Sequence, residues 1–159
     1  MLILLVSLSI VLLDQVSKYL VWKNLAFQAR YPVFDGFFDV VHVHNTGAAW
    51  GMFAGQNAWL MILSFVVLFV MIFFRRYIME DHISQQIAAG LITGGITGNL
   101  IDRLRLGYVV DFLDFYWGNA HFPAFNVADS SICVGAGLFL VSQFISASKE
   151  RKKHAGENG

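Results

Sequence analysis

Four apolar stretches, residues 2–22, 58–74, 84–101 and 130–147, set the terms for any fold this chain can adopt. A helix crossing the hydrocarbon core of a bilayer needs roughly 20 predominantly apolar residues, and each stretch comes close. Burying four such helices in one soluble core would leave too little polar surface for water, and the composition agrees. Apolar residues make up 57% of the 159 and charged residues 14%, against about 45–50% and 25% in soluble domains. The expected fold is an all-α membrane protein with four transmembrane helices. Its connecting segments would form a small β-rich part outside the membrane and a short helical or loop segment at the surface. Residues 1–148 would make one integral membrane domain, followed by a polar tail, 149–159, expected to fray.

The first stretch carries Asp14 and Lys18 after a run that resembles the apolar core of a secretory signal. No basic residue precedes that run and no small-x-small cleavage site follows it, so it reads as a retained helix. Orientation follows from Lys and Arg, which favour the cytoplasmic side. Arg75 and Arg76 follow the second stretch; Lys149, Arg151, Lys152 and Lys153 follow the fourth. Alternating spans put these two ends on one side, and their charge makes it cytoplasmic, with both termini there. Segments 23–57 and 102–129 then lie outside. Residues 31–43 are rich in Phe and Val with partial alternation, which predicts short strands at the interface. Gly90, Gly94 and Gly98 form a small-residue face where neighbouring helices approach closely.

The formal net charge is zero, so nothing suggests the basic face that nucleic-acid binding requires. One cysteine, Cys133, excludes an intramolecular disulfide and a cysteine zinc cage; its apolar surroundings predict a small core residue.

Ionisable side chains in a membrane are costly and are by default functional or paired. Here they gather at one end of the helices: Asp14 and Lys18 on one face of the first, Asn99, Asp102 and Arg103 at the end of the third, and Asp129 opening the fourth. Asp111 lies in the outer segment among apolar neighbours. Each has an ordinary explanation. Asp129 before Ser130 and Ser131 makes a helix N-cap. Asp102 and Arg103 could pair with each other or with Asp14 and Lys18, anchoring the first and third helices. Asn45 could start a turn in which Gly47 supplies a positive φ. His42 and His44 alternate onto one strand face, yet two histidines without a third ligand make a weak metal site. The functional reading is two carboxylates sharing one proton, one activating water and the other protonating a peptide carbonyl. No G-x-S-x-G elbow or H-E-x-x-H helix offers other chemistry, and no cofactor is needed.

Five blocks, Asp14-Gln-Val-Ser-Lys18, Asn45-Thr-Gly-Ala-Ala-Trp-Gly51, Gly98-Asn-Leu-Ile-Asp-Arg103, Val109-Val-Asp-Phe112 and Phe125-Asn-Val-Ala-Asp-Ser130, together resemble the signature of lipoprotein signal peptidases (signal peptidase II). The resemblance implies an aspartic peptidase of the bacterial inner membrane, acting at its outer face. It would remove signal peptides from prolipoproteins just before a cysteine carrying a diacylglyceryl group. By motif the catalytic pair would be Asp111 and Asp129; the residue reading alone leaves Asp111 and Asp114 equal. Asn45, Gly47, Asn99, Asp102, Arg103, Asn126 and Ala128 match positions that shape the site or bind substrate, and Asp14 and Lys18 match the first-helix motif. Lipid-modified prolipoproteins and membrane lipids would be the partners of a monomer. Trp50 stands where Phe is common, and the chain begins almost directly with its first helix. Two other classes are weighed: a small transporter, which would spread polar residues through the spans, and a non-catalytic lipoprotein-binding factor, which only an assay of cleavage separates.

Overall fold

The computed structural model describes residues 1–47, 52–78 and 82–157; Ala48, Ala49, Trp50 and Gly51 of the second block lie outside them. In chain order the elements are α1 (Leu2–Asn24), β1 (Arg30–Phe34), β2 (Phe38–Asn45), α2 (Asn57–Phe73), the short α3 (Arg75–Ile78), α4 (Ile83–Leu106), β3 (Val109–Trp117), β4 (Ala120–His121) and α5 (Val127–Glu157). The four apolar stretches are four long helices, but the protein is not all-α. An antiparallel sheet in the order β1-β2-β3-β4 joins the two outer segments. Strands were expected in the first segment only. The second contributes β3, expected as helix or loop, because its Val, Phe and Tyr side chains fit a pleated surface. α5 runs on into the polar tail as far as Glu157.

Among the described residues two helices, Leu2–Asn24 and Val127–Ser148, have both the length and the apolarity to cross a bilayer; α2 is apolar but has 17 residues. α4 has 24 residues and a more polar sequence. It is the central helix, touching α1, α2 and α5. Its glycines let it be so. A Cβ on Gly90 would lie 2.6 Å from the Val6 side chain of α1, and one on Gly94 would lie 2.8 Å from the Ser7 carbonyl. On the other side, a Cβ on Gly95 would collide with the Ala128 carbonyl and Ser131 hydroxyl of α5. Close approach is therefore built into both faces.

The burial pattern is the reverse of a soluble protein's. Leu4, Leu8 and Leu12 on α1, Phe65 and Phe69 on α2, and Leu140 and Phe144 on α5 face outward, while Asp14, Lys18, Gln85, Asn99 and Asp102 are buried. So large an apolar exterior marks a surface meant for lipid rather than water. A small apolar cluster, Val21 with Val110 and Phe112, fixes the end of α1 against the sheet.

Candidate active site

The site forms where α4, α5 and the sheet meet, and its shape follows from how α5 begins. α5 starts at Val127, so Asn126, not Asp129, is its N-cap. The Asn126 side-chain oxygen accepts the Asp129 amide N–H (3.0 Å), and the Asn126 N–H donates back to Asp129 Oδ2 (3.2 Å). This is a reciprocal cap with Asp129 as its returning carboxylate. Asp129 Oδ1 accepts from Asn99 Nδ2 on α4 (2.8 Å). The other carboxylate stands on β3. Asp111 accepts from Asn126 Nδ2 (2.7 Å) on one oxygen and from Asn45 Nδ2 of β2 (2.8 Å) on the other. Three asparagines thus hold both carboxylates, and Asn126 holds the two at once.

Electrostatics separate Asp111 from an ordinary surface acid. Its burial, followed by the nearby negative charge of Asp129, pushes its pKa up from 3.8 to about 7, against the opposing hydrogen bonds from Asn45 and Asn126. Like charges in a desolvated site cannot both ionise cheaply. Asp129 sits in the first turn of α5, where the helix dipole favours an anion.

Behind the carboxylates lies a second polar layer. Lys18 Nζ is 2.9 Å from Asp14 Oδ2 and 3.0 Å from Asp102 Oδ2, and it donates to Asn99 Oδ1 (2.9 Å). The last contact orients the Asn99 amide so that its NH2 faces Asp129. Asp14 also accepts the Ala128 N–H (2.9 Å), a further cap on α5. Ala128 is fully buried against α4. Asp102 Oδ2 accepts the Val110 N–H (3.2 Å), tying α4 to the residue before Asp111. The expected anchoring of the first and third helices is thus made by Lys18, Asp14 and Asp102. Arg103 takes no part in it: its Nη2 donates to the Gly47 carbonyl (3.1 Å). Gln15 was not anticipated. Its amide reaches Asp14, the Gly98 carbonyl and Asp102 (3.0 Å to the last). Its position beside Asp14 in the first block was the available signal.

Asp111 and Asp129 line one cavity of about 660 Å³, with Asn45, Gly47, Asn99 and Arg103 also in its walls. Val43, Phe122, Pro123, Ile132 and Cys133 supply apolar surface. Cys133 is therefore not a core residue; it is exposed, one turn beyond Asp129 along the helix. Asn45 does initiate a turn, accepting the Gly47 N–H (2.8 Å). Gly47 does not take the positive φ expected of it. A glycine is needed there because a Cβ would lie 2.7 Å from the Met52 carbonyl. The return segment is pinned to β3 by the Phe125 carbonyl, which accepts from Phe112 and Leu113.

Asp114 is buried outside this cavity. Three residues along the strand from Asp111 it points to the other face, where Arg30 Nη1 (2.6 Å) and His121 Nδ1 (3.0 Å) hold it. His42 and His44 do share a face, with their Nε2 atoms 3.2 Å apart. No group of three or more metal-binding side chains occurs among the described residues.

The family model for signal peptidase (SPase) II matches residues 6–145. A lipoprotein signal peptidase of Syntrophotalea carbinolica is 43% identical over 146 residues, which are 89% of this chain and 90% of that protein. One from Neisseria gonorrhoeae is 41% identical over 150 residues, 92% and 91% of the two chains. One from Bacillus pumilus is 36% identical over 147 residues, 92% and 95%. A bacterial membrane enzyme solved by the in meso method at 2.3 Å resolution aligns with a TM-score of 0.83 at 30% identity, covering 92% of this chain and 90% of its own. A second, at 1.9 Å, gives 0.76 at 31% identity, covering 89% and 91%. The matched span contains all five sequence blocks and every residue of the polar site, and the chain belongs to the signal peptidase II family of membrane peptidases.

Proposed function

We propose that the protein is an aspartic endopeptidase that removes the signal peptide from diacylglyceryl-modified prolipoproteins, cutting just before the lipidated cysteine. One observation carries this reading: the buried carboxylate of Asp111 and the half-buried one of Asp129 share one cavity, and asparagine donors engage every one of their oxygens. Such an arrangement fixes two acids in place while leaving one proton between them.

In the proposed cycle Asp111 enters as the acid and Asp129 as the base. Asp129 takes a proton from water as the water oxygen attacks the scissile carbonyl carbon, and Asp111 gives its proton to the carbonyl oxygen. The resulting gem-diol collapses: its hydroxyl proton returns to Asp111, the C–N bond breaks, and the proton held by Asp129 goes to the leaving amine. Both carboxyls end in their starting states. No metal or cofactor takes part. Asn45, Asn99 and Asn126 hold the carboxylates; Asp14, Lys18 and Asp102 hold the asparagines and the start of α5. Ala128 permits close approach to α4, while Arg103 and Gly47 shape the wall.

Four spans with both termini in the cytoplasm put this cavity at the outer membrane face, which the Lys and Arg distribution supports. A lipid anchor on the substrate cysteine would hold the scissile bond at that depth. The apolar wall from Val43 to Cys133 suits a lipidated ligand. Residues 1–148 act as one domain, as a monomer. The test is cleavage of a purified prolipoprotein with and without the diacylglyceryl group, with the cut located by mass spectrometry. Cleavage of the modified form alone, immediately before its cysteine, is expected; equal cleavage of both forms, or a cut elsewhere, overturns the reading.

A further inference from the structure

Phe122, Pro123 and Ala124 line the cavity on the segment that returns from β4 to α5. Pairing with β3 sets the path of that segment. Tyr116 pairs with His121, and one step on the Phe122 N–H donates to the Phe115 carbonyl (2.8 Å). The next tie joins Leu113 and Phe125, where the Phe125 N–H donates to the Leu113 carbonyl (3.1 Å). Between these ties β3 has a single residue, Asp114, whereas the return segment has both Pro123 and Ala124. This is a β-bulge, a device that bends a strand and re-aims its side chains. Pro123 suits it, having no N–H to give to a ladder.

Register places Phe122 on the dyad's side of the sheet. Asp111, Leu113 and Phe115 alternate onto one face of β3, and Asp114 and Tyr116 onto the other. His121 belongs to the second face: its ring stacks on Tyr116 (centroids 4.9 Å apart) and its Nδ1 is 3.0 Å from Asp114 Oδ1. Phe122, the next residue, pairs beside Phe115 and so belongs to the first. Its ring meets Phe125 edge-on (5.8 Å), and Phe125 in turn stacks on Phe115 (5.8 Å). Phe122 is still 52% exposed where it lines the cavity. A ring already held by other rings offers apolar surface to a ligand at a small cost in side-chain freedom.

Phe115 stands four residues along β3 from Asp111, a distance of about 13 Å. Phe122 therefore lines the part of the cavity remote from the carboxylates. We propose that Phe122 is a substrate-contacting residue, whose ring receives an apolar chain of the substrate about 13 Å from the scissile bond. That chain is a hydrophobic side chain about four residues along an extended peptide, or an acyl chain of the diacylglyceryl group. This rests on the peptidase reading above.

The test has two parts, both on the full-length protein. In steady-state cleavage of a diacylglyceryl-modified prolipoprotein peptide, Phe122→Ala should raise KM about tenfold through the lost apolar contact. Its kcat should stay within about twofold, since the contact lies far from the reacting bond and is equal in ground and transition states. Phe122→Leu, which restores apolar surface, should return KM to within about threefold of wild type. In the second part p-benzoylphenylalanine replaces Phe122 in an Asp129→Asn background, and the protein is irradiated with the same peptide. Mass spectrometry should locate the cross-link on an acyl chain or on the remote hydrophobic side chain, which tells the two sources apart. An unchanged KM in Phe122→Ala, a loss of kcat alone, or a cross-link that is absent or confined to the residues flanking the cut overturns the proposal. If Phe122→Ala does not fold, the cross-link, which keeps a ring at this position, still decides it. A wild type that cuts normally beside an indifferent Phe122→Ala removes this contact alone; a wild type that cannot cut removes the peptidase reading.

Discussion

A carboxyl group that accepts two amide hydrogen bonds ordinarily ionises more readily, yet Asp111 moves the other way. Burial and the Asp129 charge outweigh Asn45 and Asn126 and push it to about 7. Since its unfolded pKa is 3.8, the folded protein holds this proton more tightly. The associated stability is fully present below pH 3.8 and is lost as pH rises to about 7. The whole shift corresponds to about 4 kcal/mol, an upper figure. Asp111→Asn removes the titration but turns an NH2 toward donors. It should therefore be more stable than wild type by about 1–2 kcal/mol at pH 8, with the difference vanishing by pH 5. Thermal unfolding at both pH values checks this; an equal gain at both contradicts it. The same shift predicts that activity falls above about pH 7 as Asp111 loses its proton, and again in acid as the pair becomes fully protonated.

At this scale the sequence revealed residue types and little of their wiring. It marked Asp14, Lys18, Asn99, Asp102 and Asp129 because they are costly where they lie, but the partners of Lys18 and the forked role of Gln15 depend on three elements meeting. Asp111 and Asp114 looked alike because alternation on β3 is hidden. That strand is buried on both faces along much of its length, so its apolar run does not alternate.

Among the elements, the helices were legible from apolar length, though α4 continues past Ile101 to Leu106 because polar residues remain helical beyond the lipid. The sheet was half legible: β2 was expected, β3 was not. Its outer face depends on one cation. Asp39 and Asp114 stand directly across from each other on β2 and β3, and Arg30 Nη1 lies 2.6 Å from both. Facing like charges destabilise a strand pair. Arg30→Ala should therefore cost about 2 kcal/mol, less than a fully buried pair because the guanidinium is half exposed, and high salt should not restore it. Unfolding measurements that show no loss would contradict this. On α4, Gly95→Ala should displace the start of α5 and with it Asp129, lowering the cleavage rate by more than tenfold while helix content by circular dichroism is kept; a native rate would show that the helices separate freely.

The whole molecule is built inside out, with acids, amides and a lysine within and leucine and phenylalanine without. Such a distribution is stable only where the surroundings are apolar, and it leaves orientation to the flanking charges. Single cysteines in a Cys133→Ser background test that orientation, since Tyr77 and Trp117 are both highly exposed. In intact cells an impermeant maleimide should label Trp117→Cys and not Tyr77→Cys, with both labelled after lysis. The reverse pattern would invert the protein. Catalysis as proposed requires the two carboxylates to act as one unit. The most direct measurement is the single-turnover rate of prolipoprotein cleavage by Asp111→Asn, Asp129→Asn and the double variant. Each single change should slow cleavage at least about 1,000-fold and the double change little further; a rate within about tenfold of wild type for either single variant would contradict the shared-proton pair.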